Sequence, residues 1–142
     1  MRNPAKPSVL VVDDDILARE TLVALLRDDH DVTEVGSCAA ARSALKSWPF
    51  DVVILDYELP DGNGGDLLAE LDADSPASIA ILVTGHGNDP TVLAFRNRGD
   101  LVLAKPFDPS VLLSYVREAV QLSKMRDANL RLRARLAGSL AS

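Results

Sequence analysis

A single cysteine, Cys38, leaves the chain no partner for an internal disulfide, so a reducing, cytoplasmic setting is expected. Nowhere does an apolar run approach the ~20 residues that a membrane-spanning helix requires. Residues 1–8 have neither the apolar stretch nor the length of a secretory signal. Basic charge is also scarce where a nucleic-acid surface would need it. Residues 1–115 hold nine Lys/Arg against nineteen Asp/Glu, a local charge of −10, and direct nucleic-acid binding by this segment is therefore not expected. No internal repeat or low-complexity tract is present.

What is there suits one soluble domain with a real core: 142 residues, 47% apolar and 25% charged. The acidic excess fits a cation site. Residues 116–142 reverse the balance, with six basic residues against two acidic ones.

Short apolar runs alternate with helical patterns along the whole chain. Val9–Val12 reads as a first strand, and Ile16–Leu26 as a helix carrying Leu17, Leu22, Leu25 and Leu26 at helical spacing. Val32–Val35 is a half-polar edge strand, Ala39–Trp48 a second helix and Val52–Asp56 a third strand. Asp66–Leu71 forms the centre of a third helix, Ile79–Thr84 a fourth strand and Leu101–Ala104 a fifth. Asp89-Pro90 and Asp108-Pro109 each pair an N-cap with a first-turn proline, and so open a fourth and a fifth helix. This alternation specifies an α/β fold, a parallel sheet covered by helices on both faces. Residues 1–7 are expected to be a tail and 8–121 the domain. Residues 122–142 extend the last helix as a linker or coiled-coil tail: Leu122, Met125, Asn129, Leu132 and Leu136 follow four- and three-residue steps.

The chemistry gathers where strands end. The first strand runs into Asp13-Asp14-Asp15, the third into Asp56 and the fourth into Thr84, and Lys105 follows the fifth. In a parallel sheet the carboxyl ends share one edge, so these residues can meet in one pocket. Carboxylates gathered there repel one another unless a cation joins them. Mg2+ suits such a site, since it takes hard oxygen ligands at ~2.1 Å and commonly accepts a phosphate oxygen as well. One carboxylate can then act as a nucleophile and form an acyl phosphate. A lysine ammonium offsets the charge of the transferring group, and a threonine hydroxyl can hydrogen-bond its oxygens.

Val9-Leu10-Val11-Val12-Asp13-Asp14, Asp56 through Pro60 with Gly64, Thr84-Gly85 and Lys105-Pro106-Phe107 together resemble the receiver domain of two-component response regulators. The resemblance covers about residues 8–121. It implies a flavodoxin-like, doubly wound sheet of five parallel strands in the order 2-1-3-4-5. It implies Asp56 as the phosphoacceptor, loaded by a histidine kinase or histidine phosphotransfer protein. Asp13, Asp14, Asp56 and the backbone carbonyl of Glu58 are then the Mg2+ ligands, Thr84 the switch hydroxyl and Lys105 the phosphate-pairing cation. A cis bond before Pro106 is implied too, and Asp15 is left as a cap. Such a domain is a signalling switch, not an enzyme, beyond catalysing its own phosphorylation and dephosphorylation.

One position departs from the pattern. Receivers usually carry Tyr or Phe three residues before the lysine; here Val102 stands there, with no ring to swing. Activation is therefore expected to rely on Thr84 and on movement around the fourth helix. A competing reading is a small Asp-nucleophile phosphatase, since Glu58 lies at the offset of that class's second acid, yet no insertion is long enough for a substrate cap. A third is an interaction domain of the same fold that works without phosphorylation. His86, beside the pocket mouth, His30 and Cys38 are expected to be incidental. No output motif follows residue 121, so a lone receiver and the N-terminal part of a transcriptional regulator both remain open. The tail seam predicts a homodimer.

Overall fold

The computed structural model describes residues 5–85 and 89–141, so His86 lies outside the described residues. In chain order the elements are β1 (Ser8–Val12), α1 (Ile16–Leu26), β2 (Asp31–Val35), α2 (Cys38–Ser47) and β3 (Val52–Asp56). A small hairpin follows, β4 (Glu58–Leu59) and β5 (Gly62–Asn63), then a 3-10 turn at Gly64–Leu67 and α3 (Leu68–Asp74). The chain continues through β6 (Ile79–Thr84), α4 (Pro90–Arg98) and β7 (Leu101–Ala104) to α5 (Pro109–Ala141).

The five long strands pair in parallel in the order β2-β1-β3-β6-β7, which is 2-1-3-4-5 when the small hairpin is not counted. Every residue of β1, β3 and β6 is buried, as their unbroken aliphatic runs require of strands covered on both faces. The half-polar β2 lies at one edge, as expected.

Side chains alternate strictly between two layers, and this alternation orients the site. Val9, Val11, Val52, Ile54, Ile79, Ile81, Val83 and Leu103 face α1 and α5, where Leu22, Leu26, Leu112 and Val116 meet them. Leu10, Val12, Val53, Leu55, Ala80 and Leu82 face α2, α3 and α4, against Leu45, Leu71, Val92 and Phe95. Continued past the strand ends, the same parity sends Asp13, Asp56 and Lys105 to the α1/α5 side. It sends Tyr57, Thr84 and Val102 to the α4 side.

Two helix starts differ from expectation. Helix α2 begins at Cys38, one residue early, because Ser37 accepts the Ala40 N–H. Asp66 belongs to the 3-10 turn, where it closes a capping box with Asn63, and the α-helix proper starts only at Leu68. Helix α5 packs on the sheet through Leu112, Val116, Ala119 and Val120. Its contacts with the body reach Arg126, whose guanidinium donates to the Ser78 and Arg98 carbonyls at 3.0 and 2.7 Å. Beyond that point the helix runs into solvent, and Leu132 and Leu136 are about half exposed. Among the described residues no helix is long and apolar enough to cross a membrane.

Candidate functional site

At the carboxyl edge of β1, β3 and β7 an open cleft of about 1020 Å³ is lined by Asp13, Asp14, Asp56, Glu58 and Lys105, with α1 and Phe107 forming its apolar side. Carboxylate oxygens of Asp13, Asp14 and Asp56 all lie within 4.8 Å of one another. Asp56 is 8% exposed. Its Oδ1 accepts the Lys105 ammonium at 2.9 Å and the Glu58 N–H at 3.2 Å.

Local structure holds these groups in place. Asp13 continues the β1 ladder through its N–H to the Val35 carbonyl at 3.1 Å. Its Oδ1 accepts the Asp15 N–H, and its own carbonyl accepts the Arg19 guanidinium at 2.8 Å. Asp15 is the N-cap of α1, accepting the Leu17 and Ala18 N–H groups, and takes no place in the acidic cluster. The Lys105 N–H donates to the Thr84 carbonyl at 2.9 Å, so β6 positions the lysine, and the Lys105–Pro106 bond is cis.

Thr84 is 2% exposed at the end of β6, paired with Ala104, and does not line the cleft. By strand parity Thr84 follows Ala80 and Leu82 toward the α4 side, whereas Asp56 follows Val52 and Ile54 toward the α1 side. The structure thus brings together Asp13, Asp14, Asp56, Glu58 and Lys105 in the cleft lining, with Thr84 buried at the end of β6 and outside that lining.

Burial raises the Asp13 carboxyl above its ordinary value, and the negative charges of Asp56 and Asp14 add to that; the Asp15 N–H and Lys105 work against it. Three crowded acids facing one ammonium form a donor set deficient in positive charge. Hard, closely spaced oxygens of this kind suit Mg2+, and these residues fit it.

Sequence reasoning missed two participants. Asp61, in the turn of the small hairpin, accepts the Cys38 and Ala39 N–H groups at 2.8 and 3.0 Å and fastens the loop after Asp56 to the start of α2. Tyr57 donates its hydroxyl to Asp89 at 2.7 Å. A turn-forming Asp-Gly and an aromatic beside the nucleophile were the only signals, and neither names its partner.

A family model of the response regulator receiver domain matches residues 9–117. The chain belongs to the response regulator receiver domain family. The receiver is 37% identical over 141 residues to the C4-dicarboxylate transport transcriptional regulatory protein DctD of Pseudomonas aeruginosa, covering 94% of this chain and 29% of that protein. It is 36% identical over 110 residues to the DNA-binding response regulator MtrA of Mycobacterium tuberculosis, covering 77% of this chain and 48% of MtrA. The receiver also shares its fold with a CheY-like receiver domain protein from Methanospirillum hungatei, at 23% identity and a TM-score of 0.77, covering 84% of this chain and 98% of that one. This receiver spans between a quarter and about half of the length of the curated relatives it matches. Family membership favours a signalling switch over the Asp-nucleophile phosphatase.

Proposed function

We propose that this receiver takes a phosphoryl group onto Asp56 from a phosphohistidine of a histidine kinase or phosphotransfer protein, and signals by the change that follows. The observation that carries this reading is the acidic triad within 4.8 Å with Lys105 seated on Asp56. A carboxylate oxygen of Asp56 attacks phosphorus, a P–O bond forms as the P–N bond breaks, and the leaving imidazole takes up a proton. Lys105, already 2.9 Å from Oδ1, is placed to follow the negative charge onto the phosphoryl oxygens. Asp13, Asp14, Asp56 and the Glu58 carbonyl would hold Mg2+, which supplies charge neutralisation for the incoming phosphoryl group. Thr84, buried at the end of β6, then serves as the switch hydroxyl. Water attack on the acyl phosphate resets the domain, so both steps are self-catalysed.

Because DctD is a transcriptional regulatory protein and MtrA a DNA-binding response regulator, a role in transcriptional regulation for a longer protein carrying this segment is part of the proposal, as is a homodimer built on the end of α5. The test is intact-mass analysis after incubation with Mg2+ and a small acyl or phosphoramidate donor. One phosphoryl group per chain is expected, absent in Asp56→Asn and without Mg2+. Labelling that survives Asp56→Asn would refute the assignment.

A further inference from the structure

The aromatic ring that receivers usually carry three residues before the lysine is replaced by Val102, yet another ring occupies the same layer. Tyr57 and Val102 both pack against the core cluster that faces α2, α3 and α4. The Tyr57 hydroxyl donates to Asp89 Oδ2 at 2.7 Å, and Asp89 is the N-cap of α4, its Oδ1 taking the Thr91 N–H at 2.9 Å. So the residue next to Asp56 holds the side chain that starts α4.

A second contact joins the same two elements. A Cβ on Gly65 would come within 2.9 Å of the Thr91 methyl. The loop after Asp56 thus lies directly on the first turn of α4, at a distance that glycine permits.

The far end of α4 is held as well. The helix stops at Gly99, which is left-handed at φ 93°. Arg126 of α5 donates to the Arg98 carbonyl there at 2.7 Å and to the Ser78 carbonyl at 3.0 Å. Helix α4 therefore runs from the loop that follows the site to the helix that leaves the body.

We propose that Tyr57 is a positioning residue of the switch: through Asp89 it couples the state of Asp56 to the start of α4, and Arg126 passes the displacement of α4 to α5. This rests on Asp56 being the phosphoacceptor. The backbone of Tyr57 is tethered on both sides, its N–H to the Val83 carbonyl at 3.0 Å and its carbonyl to the Gly64 N–H at 2.9 Å. A phosphoryl group on Asp56 that displaces this loop moves the phenol with it. A hydrogen bond from a hydroxyl to a carboxylate is short and directional, so it resists separation better than an apolar contact. Coupling over this distance requires an element with two discrete arrangements, and here α4 is that element.

Amide spectra of the 15N-labelled full chain with Mg2+, with and without beryllofluoride, test the relay. In the parent, beryllofluoride is expected to shift amides at Asp14 and Glu58, along α4, and in α5 beyond Arg126. In Tyr57→Phe, which keeps the ring, the Asp14 and Glu58 shifts are expected to persist while those in α4 and α5 fall to less than half. In Arg126→Met, the α4 response is expected to stay and the α5 response to fall. Full α4 responses in Tyr57→Phe would overturn the proposal. A parent in which not even Asp14 and Glu58 respond would refute the phosphoacceptor reading itself, and the relay with it.

Discussion

Asp100 shows how one buried charge shapes the molecule. Its side chain is fully buried, with Oδ1 accepting the Ala80 N–H at 2.9 Å and Arg98 at 2.7 Å. Its Oδ2 finds no donor among the described residues. Burial pushes the Asp100 carboxyl above its ordinary value, and Arg98 offsets this only in part. The folded chain therefore holds that proton more tightly than the unfolded chain does. The stability contributed is full below the ordinary aspartate value and is lost as pH rises through the raised one. Asp100→Asn removes this dependence. Urea midpoints measured from about pH 4 to pH 7 should fall less with rising pH in the variant than in the parent. Identical slopes in the two proteins would mean that Asp100 does not titrate in this range.

Among the elements, the β4–β5 hairpin is the one whose role depends most on a single side chain. It carries Glu58, whose carbonyl is the proposed Mg2+ ligand, and Asp61 pins it to α2. Those two bonds hold the Asp61 carboxyl below its ordinary value. In Asp61→Ala the hairpin loses its anchor, so Mg2+ affinity should drop several-fold while thermal stability changes little. Titration followed by intrinsic fluorescence measures this, and unchanged affinity would show that the anchor does not position the loop. The hairpin also marks the limit of what the sequence reveals. The five long strands were legible because β1, β3 and β6 are unbroken aliphatic runs, and the α4 and α5 starts because Asp-Pro pairs both cap and begin a helix. Asp13, Asp14, Asp56 and Lys105 were legible as strand-end residues on one edge. Strand parity alone does not sort them, since it sets Asp14 with Thr84, yet Asp14 joins the acidic cluster. The clamps of Asp61, Tyr57 and Arg126 were not legible, because each joins segments at least 22 residues apart and no local pattern records its partner.

At the scale of the whole molecule, the proposed homodimer rests on α5. Its 33 residues extend for roughly 50 Å at ~1.5 Å per residue, and Ser123 and Arg126 bond it to the body. Of the expected seam, Leu122 is partly buried against the domain core, whereas Met125, Leu132 and Leu136 are more than half exposed. The seam available to a partner thus starts at Met125 and continues through Asn129, Leu132 and Leu136, less than two heptads. So short a coiled coil is marginal by itself, which predicts a weak dimer, with a dissociation constant of roughly micromolar or above. Sedimentation velocity should show concentration-dependent dimers of the intact chain and monomers for a chain ending at Ala128, which keeps the Arg126 anchor. If α4 transmits the state of Asp56 through Arg126, Mg2+ and beryllofluoride should raise the dimer fraction of the intact chain, and Leu132→Glu should abolish it. A Leu132→Glu protein that dimerises as well as its parent would place the contact on the receiver body and leave the exposed seam without a role in self-association.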